Sequence, residues 1–280
     1  MVEIDKRSLR MLQMIELEML LEVDRICKKY QIPYNIIGGT LLGSVRHKGF
    51  IPWDDDADLA MMRKDYKRFR SICREELDSS KYYFQDAEVT EGYRWSYGKL
   101  RRKDTLFLRE SQEHMPYEQG VFIDIFPVDH VPDAYIPRAI YNFLCFCVRK
   151  ILWSEVGKYQ ERNILKRNVY RLLSMIPEKD VIRCYKRMVH NQNAIDSRYA
   201  RIGLMPVPGK GFGYPKKWYT QSADYEFEGY SLKGIRDAHD FLTFIFGNYM
   251  ELPPKKNRKM HPVSRLKLFE NELYREKIEK

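Results

Sequence analysis

The chain has 280 residues, 44% of them apolar and including 20 tyrosines and 14 phenylalanines, enough to close a sizeable core and to exclude a disordered protein. That length suits one core with an elaboration rather than two full domains. A net charge of +10 calls for an acidic partner, whether nucleic acid, a nucleotide or an anionic membrane surface, and charge alone does not choose among them.

Met1-Val2-Glu3-Ile4-Asp5 carries acids where an export signal has its basic region, and no run approaches the ~18 apolar residues of a spanning helix. The expectation is a cytoplasmic chain. Its five cysteines are odd in number and contain no Cys-x-x-Cys, so they read as reduced thiols, with Cys27 and Cys73 in the core. The Cys145-x-Cys147 pair has no second pair to complete a metal site.

Residues 8–30 repeat apolar side chains at Leu9, Leu12, Ile15, Met19, Leu20, Val23 and Cys27, which predicts a helix ending by Pro33. Tyr34 to Ile37 reads as a short strand running into Gly38-Gly39-Thr40, and Leu41 to Arg46 as a helical turn or two. The spacing next predicts a strand from Asp56 to Met61 and an amphipathic helix from Arg63 to Leu77, with Tyr66, Phe69, Ile72 and Cys73 inward. Residues 94–108 and 121–126 read as strands, the second closed by Pro127. Residues 137–190 are helical and basic, 203–215 are rich in Gly and Pro, and 237–250 form a last helix. This order fits an α+β fold, with a core over 1–135 and a mainly helical, loop-rich elaboration over 136–280 packed on that core and completing the substrate site.

Asp54, Asp55, Asp56 and Asp58 crowd into five positions between apolar flanks. Two carboxylates 4 Å apart repel by about 1 kcal/mol in water and about 4 at an effective dielectric of 20, so a cluster outside solvent needs a cation among its charges. In a strand, Asp56 and Asp58 would project together, with hard oxygen ligands for a divalent cation. A third acid, Asp124, stands between Ile123 and Ile125, where a carboxylate is costly unless it is paired or metal-bound. The Gly38-Gly39 pair brings backbone close to a ligand at a helix start, a place that favours phosphate. Lys99, Arg101, Arg102 and Lys103 supply cations for substrate phosphates, although the same run also suits a solvent-facing edge strand. Together these features describe metal-assisted phosphoryl transfer.

The stretch from Gly38-Gly39-Thr40-Leu41-Leu42-Gly43 through Arg46-His47-Lys48-Gly49-Phe50-Ile51-Pro52-Trp53 to Asp54-Asp55-Asp56-Ala57-Asp58 resembles the signature of the LicD family. So do Tyr97-Gly98-Lys99-Leu100-Arg101, Phe122-Ile123-Asp124-Ile125-Phe126-Pro127 and, more loosely, residues 246–254. That family comprises phosphocholine transferases of bacterial surface polysaccharides and teichoic acids, related to the fukutin group. The resemblance implies a nucleotidyltransferase-type core, a small mixed sheet with helices against it. It also implies Mg²⁺ (Mn²⁺ as the alternative) on Asp56, Asp58 and Asp124, with Asp124 as ligand or as base for the acceptor proton. The donor would be a CDP-alcohol and the acceptor a glycan hydroxyl, with CMP leaving. Gly38, Gly39 and Thr40 would approach the phosphates, and Arg46, Lys99 and Arg101 would bind substrate.

Two other readings stand beside this one: a nucleotidyltransferase that consumes an NTP, and a non-catalytic basic module binding nucleic acid or membrane. The acidic triad speaks against nucleic acid as a partner, because carboxylates repel phosphate unless a metal intervenes. His47 and His261 read as surface histidines. The stretch 139–153 reads as a core helix, the alternative being a helix in the interface of an anionic membrane at the inner face of the plasma membrane.

Overall fold

The computed structural model describes residues 2–278. Helix α1 (Lys6–Tyr30) starts where the Asp5 side chain accepts from the Ser8 N–H at 2.7 Å and ends on Gln31 in the left-handed region. Its buried face carries Leu12, Ile15, Met19, Val23 and Ile26, as the helical spacing requires. β1 (Asn35–Ile36) leads into α2 (Gly38–His47), then β2 (Asp58–Met62), α3 (Arg63–Glu76), β3 (Tyr82–Gln85), β4 (Gly98–Arg102), β5 (Leu106–Arg109) and β6 (Phe122–Val131). Three helices follow: α4 (Tyr135–Gln160), α5 (Ile164–Leu173) and α6 (Glu178–Asn193). The rest is β7 (Tyr199–Ile202), β8 (Tyr214–Pro215), α7 (Lys217–Thr220), β9 (Ser222–Phe227), β10 (Tyr230–Ile235), α8 (Ala238–Phe246), β11 (Val263–Lys267) and α9 (Glu272–Ile278).

The fold is mixed α and β, with helices flanking a mixed sheet. That sheet has nine strands, more than the small one expected, in the order β3-β4-β6-β2-β1-β10-β9, with β7 beside the second half of β6 and β8 beside β7. β2 runs parallel to β6 and β1 parallel to β10, and the other neighbours are antiparallel. β5 and β11 form a separate ribbon.

Three sequence expectations change. Residues 136–280 are not a helical layer laid on a finished core, since β7, β8, β9 and β10 all belong to the main sheet. β6 runs on through Pro127 to Val131. Its neighbour on one side is β4 as far as Ile125 and β7 from Val128, so the residue without an N–H sits at the changeover, where no ladder bond is lost. The segment 94–108 divides into two strands, and β4 is interior, between β3 and β6, not a solvent-facing edge.

Candidate active site

The sheet register builds the site. Asp58 on β2 pairs with Asp124 on β6, and Asp124 pairs with Lys99 on β4, so the three side chains form one row across adjacent strands on one face. Lys99 donates to the Asp124 carboxylate, and both are almost fully buried. Burial drives the Lys99 ammonium down to about 7 despite the opposing pull of Asp124. Asp58 is pushed well up by burial, then by Asp56 and Asp124.

Asp56 does not share that strand. Pairing starts at Asp58, and Asp56 ends the loop of Asp54, Asp55 and Asp56, which each place a carboxylate oxygen within 4.8 Å of the others. Asp55 is 3% exposed and is held by His261, whose backbone N–H donates at 2.8 Å and whose Nδ1 lies 3.0 Å away. Asp56 Oδ2 is 3.8 Å from the same Nδ1. Burial raises the Asp54 carboxyl to about 8, with Asp56 and Asp55 adding to it, and burial also raises Asp56 against the pull of His261 and Arg109.

Gly38 and Gly39 open α2 against these acids. A Cβ on Gly39 would come within 2.6 Å of Asp54 Oδ2, and one on Gly38, where φ is +56°, within 3.2 Å of Asp58 Oδ2. The glycine pair therefore makes room for carboxylates beside the partial positive charge of a helix start that no side chain caps. Thr40 Oγ1 accepts from the Asp58 backbone N–H at 2.8 Å and fixes the strand start. Arg46 points elsewhere in part, donating to the Tyr249 carbonyl at 2.5 Å and so tying the segment after α8 to α2. Arg101 is spent on Gln85 Oε1 and the Gly120 carbonyl, both at 2.7 Å, and forms a wall of the site.

Two contributors escaped the sequence reading. Glu16 of α1 is 1% exposed, has one carboxylate oxygen without a partner among the described residues, and is raised well above its ordinary value by burial and by all four clustered aspartates. Its neighbour one turn back, Gln13, donates to the carbonyls of Ile51 and Asp54, so α1 carries the acidic loop. Arg109 of β5 is the other. It is close enough to Asp56 to lower that acid's proton affinity, and its Nε is buried with no partner among the described residues. Arg109 lines a cavity of about 240 Å³ with Lys99, Arg101, Arg94, Arg149 and Trp153. Arg94 and Arg101 are bound to protein acceptors, whereas Arg149, like Arg109, has a buried Nε with no acceptor among the described residues.

The donor set fits a hard divalent cation: carboxylate oxygens at close quarters, several carrying raised proton affinity, and a buried acid with a spare oxygen. An acidic loop beside a strand row of two carboxylates and a lysine, next to a cationic cavity, has the chemistry that metal-assisted phosphoryl transfer needs. Residues 31–143 match the model of the LicD/FKTN/FKRP nucleotidyltransferase domain. The lipopolysaccharide cholinephosphotransferase LicD of Haemophilus influenzae is 30% identical over 271 residues, covering 92% of this chain and 97% of that protein. An uncharacterised protein of Rickettsia prowazekii is 27% identical over 141 residues, about half of each chain (49% and 48%). The chain belongs to the LicD family and is a phosphotransferase.

Proposed function

We propose that this protein transfers phosphocholine, or a similar phospho-alcohol, from a CDP-linked donor to a sugar hydroxyl of a cell-surface glycan, with Mg²⁺ at the acidic cluster. The observation that carries this reading is the juxtaposition of the Asp58–Asp124–Lys99 row with a cavity lined by Arg109 and Arg149, whose buried Nε atoms have no partner among the described residues. The similarity to a lipopolysaccharide cholinephosphotransferase supports the cargo and the glycan acceptor.

Asp56 and Asp58, with Asp54 and Asp55 beside them, would hold the cation, which supplies Lewis-acid neutralisation of phosphate charge. Arg109 and Arg149 bind the diphosphate in the cavity, with the geometry that suits guanidinium to phosphate. The acceptor oxygen forms a bond to the phosphorus bearing the alcohol, the bond to the bridging oxygen breaks, and CMP departs with that electron pair. Asp124 accepts the hydroxyl proton, and Lys99, paired with it, offsets charge developing on the phosphoryl oxygens. The glycines of α2 keep this space free of side chains.

The test is incubation of the pure protein with a panel of CDP-alcohols, Mg²⁺ and a glycan acceptor, following CMP. Acceptor-dependent CMP release supports the reading. Pyrophosphate release from an NTP, with no CMP from any CDP-alcohol, refutes it in favour of a nucleotidyltransferase.

A further inference from the structure

We propose that the outer faces of α4 and α5 form a docking surface for an anionic lipid bilayer. On α4, Ile136, Ile140, Phe143 and Leu144 recur at helical spacing and are 71%, 56%, 61% and 45% exposed. On α5, Leu165, Val169 and Leu172 repeat the pattern at 74%, 53% and 68%, and no residue of that helix is buried. The stretch 139–153 is therefore a core helix on one side only. Arg138, Tyr141, Cys145 and Leu152 face protein, while Phe143 and Phe146 face out. An apolar surface spread over two helices of one molecule marks a partner site.

Charge decides which partner. Residues 138–171 contain eight Lys and Arg against two Glu, and Arg162, Lys166 and Arg171 are exposed on or beside α5. A second copy of the chain would bring two such positive faces together. An anionic bilayer accepts the apolar stripe into its acyl boundary and the cations among its head groups. No helix among the described residues is long and apolar enough to cross a membrane, so the pair lies in the interface plane. The inner side of α4 carries Arg149, Leu152 and Trp153 into the cationic cavity, so one helix would have lipid on one face and substrate on the other.

The experiment is sedimentation with vesicles of phosphatidylcholine, alone or mixed with phosphatidylglycerol, and it reads no transfer, so it stands or falls apart from the proposed reaction. The expected result is binding to the mixed vesicles, loss at high salt, and little binding to phosphatidylcholine alone. Leu165→Ser with Leu172→Ser removes two large apolar anchors, and partition should fall at least tenfold. Lys166→Glu with Arg171→Glu should do the same without touching an apolar group. Because these side chains are exposed, the melting temperature should hold. Undiminished binding by both double variants would overturn the proposal. So would binding indifferent to lipid charge, or a wild-type dimer in light scattering that the serine variant dissolves.

Discussion

Replacing Asp54 by Asn removes a charge without changing shape, and its effect follows from the carboxyl's raised proton affinity. From the ordinary 3.8 to about 8 is about four decades. At about 1.4 kcal/mol each, holding Asp54 ionised in metal-free protein costs about 6 kcal/mol at most. Proton sharing among Asp54, Asp55 and Asp56 and relaxation of the loop reduce that to about 3 kcal/mol. The sign is fixed by linkage: the folded chain holds a proton that the unfolded chain releases near 3.8, so wild-type stability falls as pH rises from there to about 8. Chelator-treated Asp54→Asn should match wild type only below about pH 3.8 and exceed it by about 6–12 °C in Tm near pH 8, at about 2–4 °C per kcal/mol for a chain of this size. Mg²⁺ should narrow or reverse the order, because wild type offers the cation one more carboxylate. Scanning calorimetry across pH, with and without Mg²⁺, measures this. An Asn variant equally or less stable at pH 8 in chelator, or a gap that does not change with pH, would refute the reasoning.

Asp56→Asn and Asp58→Asn should each abolish transfer with the fold retained, and more than a few per cent of activity left in both would remove them from the site. In the presence of Mg²⁺ a CDP-alcohol should raise Tm more than ATP or GTP does, since only a ligand of the native site stabilises it; equal or larger shifts with ATP favour the nucleotidyltransferase. Arg109→Met and Arg149→Met should each weaken CMP binding by about tenfold, as loss of a charge-assisted phosphate contact predicts. Calorimetric titration checks this, and unchanged affinity in both would move the diphosphate out of that cavity.

The glycine helix and the strand of Asp124 were legible because each shows in a short window, as a glycine pair or a carboxylate between two isoleucines, whereas the Asp56-x-Asp58 alternation misled, since β2 begins at Asp58 and Asp56 ends a loop. What was not legible depends on distance in sequence. Glu16 sits among Leu12, Ile15 and Met19 in a helix whose periodicity is fully explained by packing, and only the placement of α1 under the acidic loop gives it neighbours. His261 meets Asp55 across about 200 positions. Arg101 looked like a phosphate ligand because nothing local announces Gln85 and Gly120 as its acceptors. The sheet grew from small to nine strands for the same reason, since β10 joins β1 through one long-range pairing, Gly234 with Ile36.

That pairing bears on synthesis. β1 has two residues, held between β2 and β10, and the helix carrying Gly38 and Gly39 hangs from it. A nascent chain that has left the ribosome only as far as residue 143, the end of the nucleotidyltransferase-domain match, lacks β7, β9, β10 and His261. Its acidic loop would stand without Asp55's partner and β1 without half its support. The acidic loop thus gains His261 only after nearly the whole polypeptide has emerged, so the region matched by the family model is not a piece that ripens first, and a chain stalled midway carries the charge cluster with Lys99 and Arg109 but without the partner of Asp55.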